Sequence, residues 1–270
     1  MMEQNKEVVT QSDVILSLKN LTMRFGGLTA VSGLTIDVKR GEIFGLIGPN
    51  GAGKTTVFNC ITQFYKATEG DAFFYPKDKG EVHLNKVKVH NVIKYGIIRT
   101  FQNVELVWEL TVLENLMVTH TTKFKNIILG SFLHLPSIKR EDAKVREKAL
   151  EILTFLGLVQ FKDISPYGLP YGIKKKIELA RALMINPELI ILDEPAAGLN
   201  DKETEELAET IKMIRDQYNT TIFLVEHDMP LVMGISDTVA VINFGKLIGL
   251  GSPEEVQKMN DVRVAYLGSD

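Results

Sequence analysis

Gly45-Leu46-Ile47-Gly48-Pro49-Asn50-Gly51-Ala52-Gly53-Lys54-Thr55-Thr56 is the stretch on which the reading of this chain turns. It joins an apolar run, a glycine-rich turn and a Lys-Thr pair that opens a helix. From Gly48 to Thr55 the pattern is G-x-x-x-x-G-K-T, and each fixed position answers a need of a bound triphosphate. The glycines let the backbone bend and approach closely, so that successive N–H groups point inward at phosphate oxygens. Lys54 adds a compact positive charge at the β and γ phosphates. Thr55 offers a hydroxyl to Mg²⁺, and a helix starting near Lys54 turns its positive end toward the anion. Residues 42–47 read as a buried strand and 54–62 as a helix, which is the context such a loop requires. Gly48, Pro49, Asn50, Gly51, Ala52, Gly53, Lys54, Thr55 and Thr56 are therefore the expected phosphate-binding residues.

Working outward, 270 residues suffice to bury a sizeable core in one domain or two closely packed lobes. A formal net charge of −3 and a pI near 6 leave no basic footprint for a nucleic-acid partner. No apolar run approaches the roughly 20 residues of a membrane span, and residues 1–12 lack the apolar region of a signal peptide. A cytosolic protein is expected. Cys60, the single cysteine, falls in the helix after the loop and reads as a small core residue.

Residues 14–18 and 34–38 read as strands, with a turn at Phe25-Gly26-Gly27 after the first. Phe25 is either a ring that stacks on a base or a strand-end core aromatic. Residues 69–80, rich in Gly, Asp and Lys with one Pro, read as a surface loop between short strands. Another strand is expected over 95–101, with Gln102 directly after it. Between 111 and 180 the spacing turns helical, with Val112, Leu113, Leu116 and Met117, then Val145, Ala149, Ile152, Leu153 and Leu156. This is a helical lobe inserted in an α/β core. The apolar segment 124–135 reads as a lobe-core helix in preference to a docking surface, and His83, His90, His120 and His134 share no metal-ligand spacing. Past Pro187 strands at 189–192, 221–225 and 238–242 alternate with a helix at 202–218, and 253–267 reads as short closing helices. That rhythm argues for a mainly parallel sheet covered on both faces.

The second chemical feature is Leu189-Ile190-Ile191-Leu192-Asp193-Glu194, a buried strand ending in two acids. Asp193 at the strand tip is suited to hold Mg²⁺, and Glu194 to orient or deprotonate an attacking water. A further strand ends in Glu226-His227-Asp228, where His227 either reaches the γ-phosphate or caps the following helix.

Taken in order, the phosphate loop, Gln102, Leu169-Pro170-Tyr171-Gly172 opening a helix, Asp193-Glu194 and His227 resemble the ATP-binding cassettes of ABC transporters over nearly the whole chain. The resemblance implies an α/β P-loop NTPase (RecA-like) core with a mainly parallel sheet, an N-terminal antiparallel β region and an inserted α-helical subdomain. It implies one domain over 1–270, with 1–104 and 181–270 as nucleotide-binding core and 105–180 as the helical part carrying the signature. It makes Phe25 the adenine-stacking aromatic, residues 48–55 the Walker A loop and Asp193-Glu194 the Walker B acids. Residues 197–200 become the D-loop and His227 the switch histidine. Gln102 becomes the loop glutamine that touches Mg²⁺ or water and links to the membrane subunit. ATP and Mg²⁺ are the implied cofactors.

The partners implied are a second cassette in a homodimer or heterodimer, polytopic membrane permease subunits and, indirectly, an external substrate-binding protein. The location implied is peripheral, on the inner face of the cell membrane. The signature departs from L-S-G-G-Q. Pro170 has neither a hydroxyl nor a backbone N–H to offer a γ-phosphate, Tyr171 replaces a glycine, and Ile173 replaces Gln. Leu-Pro-Tyr-Gly, Arg99-Thr100-Phe101-Gln102-Asn103, Glu194-Pro195-Ala196-Ala197-Gly198-Leu199-Asn200 and Ala265-Tyr266-Leu267-Gly268 are similar to the first ATP-binding subunit of branched-chain amino-acid importers. Two alternatives use the same loop and acids: a soluble ABC ATPase acting on nucleic acid or ribosomes, and a regulatory cassette that binds ATP without turnover.

Overall fold

Two periodicities of burial build the architecture in the computed structural model, which describes residues 13–100, 104–120 and 136–267. In β2 (Leu28–Lys39), Leu34, Ile36 and Val38 are buried while Thr35, Asp37 and Lys39 are exposed. That alternation is what a sheet with one wet face needs. β2 pairs antiparallel with β1 (Val14–Phe25), so the strand expected over 14–18 extends much further.

Residues 69–80, expected to be a surface loop, instead begin with strand β4 (Glu69–Phe74), antiparallel to β1 with Leu16 opposite Phe74. Glu-Gly-Asp is a poor strand sequence. The segment is extended because Ala72 and Phe74 are fully buried beside β1, a long-range contact that overrides local propensity. β5 (Val82–His83) completes a four-stranded sheet in the order β2-β1-β4-β5.

The second sheet holds β3 (Ile43–Ile47), β6 (Ile97–Arg99), β7 (Leu189–Asp193), β8 (Thr221–Val225), β9 (Thr238–Asn243) and β10 (Lys246–Gly251), in the order β10-β9-β3-β8-β7-β6. All its pairings are parallel except β9 with β10, a hairpin edge that the reading of the sequence did not foresee. Every residue of β3, β7 and β8 is buried, as required of parallel strands covered on both sides. The strand expected over 95–101 is shorter, because Tyr95 closes a 3-10 helix that ends on Gly96 in the left-handed region.

Successive residues of these strands serve two cores. Ile190, Leu192, Ile222 and Leu224 face the helical side, packed with Val112, Leu116, Ile152 and Ile177 of α2 (Val112–His120), α3 (Pro136–Phe155) and α4 (Tyr171–Leu183). Ile191, Phe223 and Val225 face the antiparallel sheet, packed with Ile15, Leu34, Phe74 and Phe58 of α1 (Lys54–Ile61). α5 (Asp201–Tyr218), α6 (Met229–Ile235), α7 (Pro253–Lys258) and α8 (Asn260–Leu267) complete the helices among the described residues. The start of α1 and the carboxyl ends of β3, β7 and β8 thereby meet at one edge of the sheet, where open α/β sheets bind ligands. No helix among the described residues is long and apolar enough to cross a membrane. The expectations for Gln102, for segment 124–135 with His134, for the His120 side chain and for residues 1–12 fall outside what is described.

Candidate functional site

The phosphate loop takes its shape from where it is wedged. A Cβ on Gly48 would stand 2.2 Å from the carbonyl oxygen of Ile242, and one on Gly53 would stand 2.4 Å from that of Ala30. Only glycine fits between the loop and those strands. Gly53 also has φ 104°, which L side chains avoid, and it opens α1 with no side-chain cap and no acid in the first turn. The first amides of α1 are left to an anion, in the field of the helix's positive end.

Lys54 is buried at 6% exposure, and its ammonium donates to the carbonyls of Gly48 at 2.7 Å and Pro49 at 3.2 Å. Burial pushes its pKa down, while Glu194, Glu226 and Asp193 pull it back up. The side chain is thus a desolvated cation facing three acids.

Asp193 is the last residue of β7 and is buried; burial raises its pKa, and the Arg99 guanidinium, 3.5 Å away, opposes the rise. Glu194 follows with φ 46°, a left-handed conformation that costs a non-glycine residue about 1–3 kcal/mol. Its amide donates to Val225 O at 2.8 Å. The sharp turn leaves Asp193 in the sheet and puts Glu194 in a cleft of about 310 Å³ with Lys54, Thr55, Thr56 and residues 50–53. Leu28, Thr29, Ala30 and Phe244 complete that lining.

At the end of β8, Glu226 is fully buried and acts as a staple that the reading of the sequence missed. Its carboxylate accepts from the amides of Ala196 at 2.8 Å, His227 at 2.9 Å and Asp228 at 3.3 Å, tying the loop after β7 to the loop after β8. His227 Nδ1 lies 3.9 Å from Glu194 and 3.7 Å from Glu226. The cap of α6 is Asp228, which accepts from the Leu231 amide at 2.9 Å, so the helix-capping alternative for His227 does not hold. Glu226→Gln, which turns an amide NH₂ toward at least one backbone N–H, should lower stability by about 1–3 kcal/mol. Denaturant unfolding checks this, and an unchanged midpoint would contradict it.

Around the altered signature, Pro170 is the N-cap of α4 and makes no side-chain bond there. The Tyr171 ring lies against the loop after β7, 3.4 Å from where a Cβ on Gly198 would stand, and the buried Lys175 ammonium sits 5.6 Å over the same ring. The tyrosine that replaces a signature glycine therefore packs on the loop that follows the acids.

Phe25 is 41% exposed at the end of β1, so the core-aromatic alternative fails; its ring meets Tyr65 edge-on, 5.2 Å between centroids, and lies outside the lining of the cleft. Phe244 does line the cleft, 84% exposed at φ 45°. Its neighbour Gly245 donates to Ala52 O at 2.9 Å, which ties the β9–β10 turn to the phosphate loop. The turn sequence Asn243-Phe244-Gly245 was the only local signal of that turn. Cys60 is buried as expected, and burial pushes its thiol pKa up to about 11.

Comparison with known proteins places this geometry in context. Residues 31–197 match the family described as ABC transporter. The chain is 44% identical over 257 residues to the high-affinity branched-chain amino acid transport ATP-binding protein LivG of Escherichia coli strain K12, spanning 95% of this chain and 99% of that protein. It resembles the crystal structure of an ATP-binding cassette of an ABC transporter in its ADP conformation, with TM-score 0.79, 31% identity and coverage of 95% and 99% of the two chains. It also resembles a dimeric ATP-binding cassette in a post-hydrolysis state bound to ADP and Pi, with TM-score 0.69, 26% identity and coverage of 88% and 99%.

Proposed function

This chain belongs to the ABC transporter family and is an ATP-hydrolysing cassette, and on that premise we propose that it energises a membrane importer of branched-chain amino acids. The cargo rests on the likeness to LivG along almost the whole of both chains. The observation that carries the chemistry is the single cleft in which Lys54, Thr55 and Glu194 meet, brought together from segments far apart in sequence.

Lys54 and the amides of residues 50–55 hold the β and γ phosphates, and the exposed ring of Phe25, beyond the lining of that cleft, is the surface proposed for the adenine. The hydroxyl of Thr55, in the first turn of α1, and the carboxylate of Asp193, at the end of β7, are hard oxygen donors of the kind that would fit Mg²⁺, and the family resemblance adds Gln102 to that set. Mg²⁺ held there would supply positive charge against the charge that develops on the phosphate oxygens. Glu194 takes a proton from water as the water oxygen bonds to the γ-phosphorus and the bond to ADP breaks. His227, beside Glu194, contacts the γ-phosphate. Because phosphoryl transfer is won by positioning and charge, turnover waits for the signature of a second cassette to close the other side.

Co-purification with the membrane subunits and the external binding protein, followed by uptake measurements in vesicles, tests this. ATP-dependent uptake of leucine, isoleucine or valine is expected. Uptake of none of them by an assembled complex that hydrolyses ATP would overturn the cargo, and no hydrolysis by that complex would overturn the mechanism.

A further inference from the structure

Arg99 closes β6 three residues before Gln102, and its guanidinium meets two aromatic rings, an amide and a carboxylate. Its guanidinium carbon lies 3.9 Å from the centroid of the Phe58 ring and 5.1 Å from that of Phe64. Nη1 donates to Asn59 Oδ1 at 3.2 Å, and Nη2 stands 3.5 Å from Asp193 Oδ2. Phe58 and Asn59 belong to α1, the helix that begins at Lys54, and Phe64 follows just beyond its end. The two rings restrain the guanidinium plane, Asn59 restrains its rotation in that plane, and the remaining N–H side is presented to Asp193. A lysine at this position would keep the charge but lose the stacked, forked geometry.

We propose that Arg99 is a positioning residue for the cation site: clamped by Phe58, Asn59 and Phe64, it fixes the Asp193 carboxylate relative to the phosphate-loop helix. Asp193 shares its surroundings with Glu194 and Glu226, and without a fixed cation beside it the carboxylate lacks its directional partner on that side. The arrangement also joins the two halves of the site through one side chain, since α1 carries the phosphate loop and β7 carries the acid. This inference rests on Asp193 being a metal ligand, as proposed above.

The test titrates Mn²⁺ into protein loaded with a non-hydrolysable ATP analogue and reads free Mn²⁺ by electron paramagnetic resonance. Arg99→Lys, which keeps the charge, should weaken Mn²⁺ binding by about tenfold, in the range seen when an outer partner of a metal ligand is lost. Analogue binding in EDTA should be unchanged, and in an Asp193→Asn background the substitution should have no further effect. Unaltered Mn²⁺ binding in Arg99→Lys would overturn the proposal, as would an equal loss in EDTA or an undiminished effect beside Asp193→Asn. If wild type and Asp193→Asn bind Mn²⁺ equally, the metal assignment itself fails, which is a distinguishable result. Should Arg99→Lys not fold, the half-exposed Phe64→Ala removes one wall of the clamp. It should weaken Mn²⁺ binding in the same direction by less than Arg99→Lys does, and no change there would overturn the proposal.

Discussion

Glu194→Gln should leave Mg-ATP binding close to that of the wild type and lower turnover by about 10²–10⁴-fold, the usual contribution of a general base. The amide keeps the size of the side chain, and the Glu194 backbone bond to Val225 is untouched, so the left-handed turn and the cleft persist. What is lost is the oxygen that accepts the water proton. The anion-binding side of the cleft, Lys54 and the amides at the start of α1, does not involve that oxygen, which is why binding and turnover separate. Equilibrium binding of a fluorescent ATP analogue beside a phosphate-release assay on the assembled complex measures both. Turnover near wild type in the variant would remove Glu194 from the role of base.

Lys54→Ala should do the opposite and remove binding itself. The substitution deletes a buried ammonium that two loop carbonyls accept from, and it leaves Asp193, Glu194 and Glu226 without the cation that faces them. An incoming triphosphate would then meet the carboxylate of Glu194 in the cleft with no ammonium beside it. Truncating one partner of a buried, hydrogen-bonded charge pair costs about 2–5 kcal/mol, so affinity should fall by about 30-fold or more. Calorimetric titration with Mg-ATP decides the matter, and an affinity within threefold of wild type would show that the loop amides suffice alone.

The phosphate loop and the first acid pair were legible because their information is local. A run of buried residues, a glycine turn and a Lys-Thr pair must be adjacent in the chain to make a strand, an anion nest and a helix start, so adjacency reveals them. Asp193 ends a strand whose other four residues are apolar, and Glu194 follows it directly, for the same reason. Strand β4 was not legible, since Glu69-Gly70-Asp71 disfavours an extended backbone, two Phe residues are too short a signal, and pairing with β1 decides it. Glu226 looked like one acid in a charged trio; its task appeared only when Ala196 arrived within reach of its carboxylate. In sequence Arg99 is one residue of the run Arg99-Thr100-Phe101-Gln102-Asn103, and its clamp needs α1, β6 and β7 side by side.

From residue order alone came the chemistry this chain carries: a glycine-lined turn with an ammonium and a hydroxyl for a nucleotide, and carboxylates at the tips of buried strands. Folding settled which of those groups share one space, with Glu194 turned into the cleft, Asp193 kept in the sheet beside Arg99, and Tyr171 laid on Gly198. The division follows from range: backbone bends and helix starts are set by neighbours in the chain. The placing of one strand end beside another is set by which apolar faces pack, and no short stretch of sequence encodes that.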